Sequence, residues 1–223
     1  MKAAILSTRK LAKNQRELFL NTGMNLVERD FIAIEPLKFT VNELPDNIIF
    51  TSQNAVKVVM ESPTGKELSS KKIYCVGDKT AAFLATYGLS VERSANYGSE
   101  LARIITQDYS DSEFLFFCGK KRREDIPVML DSHSIPLTQV EVYDTVLLPQ
   151  KVVRAFDGIL FFSPSAVQSY STCNPLQDSL AFCIGHTTAE EAKKHGAKIE
   201  IANTPSIESV IARAASYFRK STD

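Results

Sequence analysis

Short, nearly unbroken apolar runs alternate along the chain with longer segments of helical periodicity. The runs are KAAILS from Lys2, FIAIEPL from Phe31, NIIFT from Asn47, KIYCV from Lys72 and LSVER from Leu89. They continue with FLFFC from Phe114, LTQVEVY from Leu137, GILFF from Gly158, LAFCI from Leu180 and AKIEIA from Ala197. A strand covered on both faces loses strict apolar–polar alternation and reads as a continuous apolar run, as parallel strands do. Strands separated by helices make βαβ units. The pattern predicts an α/β protein with parallel sheets.

The two halves repeat one another. FTSQNAV at Phe50 matches FFSPSAV at Phe161. CVGDKTAAFLATYG from Cys75 matches CIGHTTAEEAKKHG from Cys183 without a gap. Cys75, Gly77, Thr80, Ala81 and Gly88 thereby stand opposite Cys183, Gly185, Thr188, Ala189 and Gly196. FLFFCGKK from Phe114 resembles AAILSTRK from Ala3. Ordered self-similarity predicts duplication of a unit of roughly 110 residues. Patterning leaves open which strand–helix–strand segment joins which unit.

The repeated phrases read as strand-to-helix junctions. Ser163 is placed to cap a helix, with Pro164 in its first turn, and Ser52 takes the equivalent place. Thr187 and Glu190 have capping-box spacing, and Asp78 and Thr204 are candidate caps. Gly88 and Gly196 lie where a helix ends. In parallel sheets such junctions gather at the C-terminal strand edge, where α/β proteins bind ligands. Helix N-termini there offer free N–H groups and partial positive charge to anions. Two facing edges would form an anion-seeking cleft. KKRRED, Lys120 to Asp125, adds four cations near an expected helix start, and Arg9 and Lys10 stand at the equivalent place. This cluster reads either as a solvated loop or as a carboxylate or phosphate site.

Charge narrows the partners. Lys+Arg and Asp+Glu are both 26 and the pI is about 6.8. Nucleic-acid binding calls for a basic surplus, so no nucleic-acid partner is expected. No run is long enough to span a bilayer, and MKAAILSTRK is too short for a secretory leader. Cys75, Cys118, Cys173 and Cys183 form no C-x-x-C pair and read as core thiols in a reducing compartment. Cytoplasm is the expected location. Dinucleotide, P-loop and nucleophile-elbow motifs are absent. His133, His186 and His195 are scattered without metal-ligand spacing. No metal and no cofactor are expected.

FTSQNAV, CVGDKTA, FFSPSAV and IGHTTAEEAKKHG, in that order, resemble the uroporphyrinogen-III synthase family. FFCGKKRREDIP followed by VEVYDT resembles its glycine-basic segment and the strand after it. NYGSELARII and TPSIESVIARA resemble its domain-closing helices. The resemblance spans nearly the whole chain. It implies two flavodoxin-like domains, 1–36 with 149–223 and 40–144, joined by antiparallel linker strands near 36–40 and 141–149. It also implies a monomer acting without cofactor on hydroxymethylbilane, a linear tetrapyrrole bearing eight carboxylates. Water is lost, the last pyrrole ring is inverted through a spiro intermediate, and the macrocycle closes.

The implied catalytic residue is Tyr143. Alternation puts Val140 and Val142 on one strand face and Glu141 and Tyr143 on the other, so an open phenol is expected. The implied substrate-binding residues are Arg9, Ser52, Asn54, Thr80, Gly119, Lys120, Ser163, Ser165, His186, Thr187 and Thr188. His186 departs from the family, which often has proline there. The residues also suit a non-catalytic two-domain module that closes on an anionic small molecule. A glycosyltransferase-like enzyme fits less well, because each half is small for a nucleotide-sugar domain.

Overall fold

The computed structural model describes residues 2–220. The chain opens with β1 (Ala4–Ser7), α1 (Lys13–Leu20), β2 (Asn25–Glu28) and β3 (Ile32–Pro36). Next come β4 (Asn47–Phe50), α2 (Gln53–Met60), a 3-10 helix (Pro63–Ser70), β5 (Lys72–Val76), α3 (Asp78–Thr86) and β6 (Val91–Ala95). α4 (Gly98–Asp108), β7 (Phe114–Gly119), α5 (Asp125–Ser132) and β8 (Leu137–Leu147) follow. The last elements are β9 (Gly158–Phe161), α6 (Pro164–Cys173), β10 (Leu180–Cys183), α7 (His186–Lys194), β11 (Lys198–Ile201) and α8 (Ile207–Lys220).

Two compact units result. One takes the chain up to Ala33 and from Val146 onward; the other is Ile34–Thr145. The first holds a parallel sheet ordered β11-β10-β9-β1-β2. The second holds a sheet ordered β3-β8-β7-β4-β5-β6, parallel from β8 to β6. At its edge, Leu37 N–H donates to the Val142 carbonyl at 2.9 Å. Leu148 N–H donates to the Phe31 carbonyl at 2.9 Å, so partner number falls as residue number rises, the mark of antiparallel strands. β3 ends at Pro36, earlier than the linker strand expected near 36–40.

Central strands explain the apolar runs. β4, β7 and β9 are buried along their whole length, whereas β2, β6 and β11 carry exposed residues. On β4, Ile48 and Phe50 pack with Ala55, Val56 and Val59 of α2. Ile49 points the other way, toward Leu101 and Ile105 of α4 and Leu130 of α5. In the other unit, Phe161 meets α6 and α7, while Ile5 and Leu160 meet Phe19 of α1 and Val210 and Ala214 of α8. Each buried Ile or Phe contributes about 1.5–3 kcal/mol, so the two-sided packing of the central strands anchors both sheets.

β2 lies outside the apolar runs. Its four residues begin with Asn25 and end with Glu28, and none is fully buried. It pairs with β1, while FIAIEPL forms β3 in the other sheet. Ser52 and Ser163 cap α2 and α6 as expected, accepting from Asn54 N–H and Ala166 N–H, each at 3.1 Å. Three other cap expectations are corrected. α3 and α7 start after Gly77 and Gly185, which place Asp78 and Thr187 inside the first turn with no side-chain cap bond. Ser206 rather than Thr204 caps α8, accepting Ser209 N–H at 3.1 Å.

Cys75, Cys118 and Cys183 are core thiols, but Cys173 at the end of α6 is exposed. Burial pushes the first two up to about 11 and Cys183 up to about 12. Thiolate is the reactive form, so near pH 8 a soluble alkylating reagent is expected to modify Cys173 alone in the folded protein. Mass spectrometry should find one label before unfolding and four after it, matching the four cysteines. More than one label in the folded state would contradict the buried assignment. Among the described residues no helix is long and apolar enough to cross a membrane.

Candidate active site

The C-terminal edge of the second unit's sheet opens into a cleft of about 370 Å³. Thr51 and Ser52 reach it from the end of β4, Gly119 from β7 and Tyr143 from β8. Asn96, Tyr97 and Gly98 bring in the β6–α4 junction, and Lys121, Arg122, Arg123 and Asp125 the loop before α5. A hollow of about 700 Å³, lined by Leu44, Asp46, Lys71 and Glu113 among others, lies at the opposite strand edge. Helix C-termini and their carbonyls face that end, which disfavours anions. The smaller cleft, with helix N-termini at its rim, is the better candidate.

Tyr143 is not on the open face that alternation predicts. Cys118 pairs with Glu141, but Gly119 pairs with Tyr143, so Val142 is an extra residue in the ladder. Such a bulge breaks the period of two and re-aims the next side chain. Val142 and Tyr143 consequently enter the same core cluster, at 0% and 8% exposure, while Glu141 stays exposed. The phenol tip still lines the cleft. Its O–H donates to Ser52 Oγ at 3.2 Å. Ser52 Oγ also accepts Asn54 N–H at 3.1 Å, so both its lone pairs are engaged and its own proton remains to be donated. Gly119 is buried against the phenol ring: a Cβ there would lie 2.6 Å from Tyr143 Cζ.

The basic loop divides into two kinds of cation. Lys120 N–H donates to the Tyr143 carbonyl at 2.9 Å, and its ammonium lies 3.8 Å from Asp144. Arg122 is held by Gln139 at 2.7 Å and Glu141 at 3.1 Å. Lys121 and Arg123 line the cleft and make no ion pair among the described residues. Two cations are thus free for an anionic ligand, and neither is Lys120, which does not line the cleft.

The remaining expected residues separate by unit. Asn54 is exposed in the first turn of α2 and contributes its backbone N–H to the Ser52 cap. Thr80 in α3 is buried at 5% exposure. Arg9, Ser163, Ser165, His186, Thr187 and Thr188 lie at the C-terminal strand edge of the other sheet. Of these, Arg9, His186 and Thr187 are exposed, Ser163 and Ser165 are half-buried, and Thr188 is buried at 1%. Thr80 and Thr188 turn inward, so neither side chain is open to a ligand in this arrangement. Sequence reasoning did not single out Asn96, Tyr97, Lys121, Arg123 or Asp125 as separate members of the site. Asn96, Tyr97 and Gly98 stand at a strand-to-helix junction, the signal that marked Ser52, but without a capping side chain.

The family described as uroporphyrinogen-III synthase HemD matches residues 14–212. The chain belongs to the uroporphyrinogen-III synthase family. A curated relative in this family, the porphyrin biosynthesis protein HemD of Ruminiclostridium josui, is 27% identical over 183 residues, 74% of this chain and 36% of the relative. The uroporphyrinogen-III synthase of Saccharomyces cerevisiae is 35% identical over 136 residues, 51% of this chain and 50% of the relative. The matched stretches therefore span half or less of these two relatives. The crystal structure of uroporphyrinogen-III synthetase from Helicobacter pylori 26695 aligns over 97% of this chain and 100% of its own, with a TM-score of 0.74 at 20% identity. That likeness shows a shared mixed α/β fold with parallel sheets.

Proposed function

We propose that this chain is a uroporphyrinogen-III synthase, converting hydroxymethylbilane to uroporphyrinogen III in haem biosynthesis. Within the family match, the observation that carries the reading is the Tyr143–Ser52 hydroxyl pair in a cleft with two cations, Lys121 and Arg123, that are unpaired among the described residues. Lys121 and Arg123 attract carboxylates of the substrate, and the α4 and α5 N-termini add partial positive charge. Tyr143, or Ser52 polarised by it, donates a proton to the departing hydroxymethyl oxygen. The resulting azafulvenium-like cation closes without inversion when left alone. The protein's task is then to hold the chain ends so that the substituted carbon of the last ring attacks first, a matter of positioning and charge placement.

In this reading the two units are flavodoxin-like domains related by duplication, linked through β3 and β8. The strand orders support it: β6-β5-β4-β7-β8 corresponds to β11-β10-β9-β1-β2, with capped helices after β4 and β9. Arg9, Ser163, Ser165, His186 and Thr187 are proposed carboxylate contacts on the other sheet's edge. The protein is further read as a cytoplasmic monomer.

The test couples purified protein to a hydroxymethylbilane supply and separates the oxidised porphyrin isomers by chromatography. Type III product is expected to dominate at ample protein. Persistent type I product would sink the reading and favour a non-catalytic anion-binding module. A double Lys121→Ala, Arg123→Ala variant is expected to raise KM about tenfold or more with little change in melting temperature, because each exposed charge-assisted contact is worth roughly 1 kcal/mol. An unchanged KM would return the loop to a solvated charged tip.

A further inference from the structure

The cations of the cleft suit the carboxylates of the proposed substrate, but not its reacting centre. That centre becomes positive when its hydroxymethyl oxygen leaves. Phe116 and Tyr143 line the cleft but are buried, which leaves two exposed groups in it that attract a cation. Asp125 is the one carboxylate among the lining residues, and it makes no ion pair among the described residues. Tyr97 is the other.

The Tyr97 side chain has no structural contact among the described residues. Six of the seven tyrosines have a ring contact or a hydroxyl hydrogen bond: Tyr74, Tyr87, Tyr109, Tyr170 and Tyr217 pack against other rings, and Tyr143 bonds Ser52. Tyr97 has neither among the described residues and is 68% exposed. It stands at the N-cap of α4, where its carbonyl accepts Leu101 N–H at 3.1 Å, but its side chain makes no cap bond. An aromatic face left bare at a cleft mouth forgoes burial that packing elsewhere would give. The backbone of Gly98, the residue after Tyr97, runs close to Asp125: a Cβ at Gly98 would lie 3.5 Å from Asp125 Oδ2. Tyr97 and Asp125 thus come from adjoining stretches of the wall of the cleft that Tyr143 also lines.

We propose that Tyr97 and Asp125 receive the hydroxymethyl-bearing pyrrole ring and stabilise the cation formed on it, an assignment that rests on the synthase reading above. In that step the carbon–oxygen bond breaks and both electrons leave on oxygen. The oxygen takes the proton supplied through the Tyr143–Ser52 pair and departs as water. The pyrrole nitrogen shares its lone pair, spreading positive charge over the ring. Tyr97 attracts that charge through its π face, and Asp125 does so through its carboxylate. The proton is returned when the closing pyrrole carbon loses its hydrogen. Both groups interact more strongly with the cation than with neutral substrate, so they act on kcat more than on KM.

The experiment measures kcat, KM and isomer ratio for Tyr97→Leu, Tyr97→Phe and Asp125→Asn beside the unmodified protein, with melting temperatures to confirm folding. Tyr97→Leu is expected to lower kcat about tenfold with KM changed less than about twofold. Tyr97→Phe, which keeps the ring face, should recover most of that loss. Asp125→Asn should also lower kcat, and the slow variants should release more type I product. Unmodified kcat in both Tyr97→Leu and Asp125→Asn would overturn the proposal, as would a loss confined to KM. If the unmodified protein itself yields only type I product, the synthase reading fails first and this assignment falls with it.

Discussion

Tyr143→Phe is expected to lower kcat by about 10²-fold or more while leaving the fold nearly intact. The two effects separate because the ring and the hydroxyl have different duties. The ring packs in the core cluster with Val142 and Phe117 and against Gly119, and phenylalanine keeps those contacts. The hydroxyl makes one part-buried bond, to Ser52 at 3.2 Å, whose loss costs about 0.5–1.5 kcal/mol. Ser52 Oγ retains Asn54 N–H, so the α2 cap survives. In the proposed mechanism, what disappears is the proton source beside the leaving hydroxyl. Uncatalysed closure then competes, and the type I fraction should climb as turnover falls. The coupled assay reads both quantities together. Near-normal turnover with dominant type III product would remove Tyr143 from the proton-donating role and leave it a packing residue.

Strands and sheets were legible where burial is two-sided. The apolar runs at β4, β7 and β9 announce parallel strands because burial between two helix layers leaves almost no polar side chain, only Asn47 at the start of β4. β2 escaped because an edge strand of four half-exposed residues carries no such run. Ser52 and Ser163 were legible as caps because a serine before a helix has one strong use. Asp78 and Thr187 misled: the glycines ahead of them are the capping positions, so Asp78 lies one step and Thr187 two steps inside their helices. Tyr143, singled out on the family resemblance, does line the cleft, but alternation put it on the wrong strand face. The bulge at Val142 depends on how β8 meets the end of β7, a long-range register that local alternation cannot express. Lys121 and Arg123 were hidden inside KKRRED because the partners that occupy Lys120 and Arg122, namely Asp144, Gln139 and Glu141, come from β8.

Gly119→Ala is expected to match the activity loss of Tyr143→Phe and to exceed its stability loss. An alanine Cβ would stand 2.6 Å from Tyr143 Cζ, 2.8 Å from Cε2 and 2.9 Å from the hydroxyl oxygen, closer than packed atoms allow. The ring cannot simply yield. Tyr143 is 8% exposed within the core cluster, and its carbonyl is fixed by Lys120 N–H at 2.9 Å. Relief requires the ring to swing or β7 and β8 to part, at a cost of about 1–3 kcal/mol for overpacking. Either movement draws the phenol from Ser52 and, in the proposed mechanism, from the leaving hydroxyl. Chemical denaturation should therefore show a lower midpoint for Gly119→Ala than for Tyr143→Phe. The double variant is the sharper measurement. If Gly119 acts on turnover by seating the Tyr143 hydroxyl, removing that hydroxyl leaves the alanine little more to damage, and kcat of the pair should stay within a few-fold of Tyr143→Phe alone. Losses that multiply instead would mean that Gly119 serves the reaction independently, as the close backbone contact to substrate that its place on the cleft wall also permits.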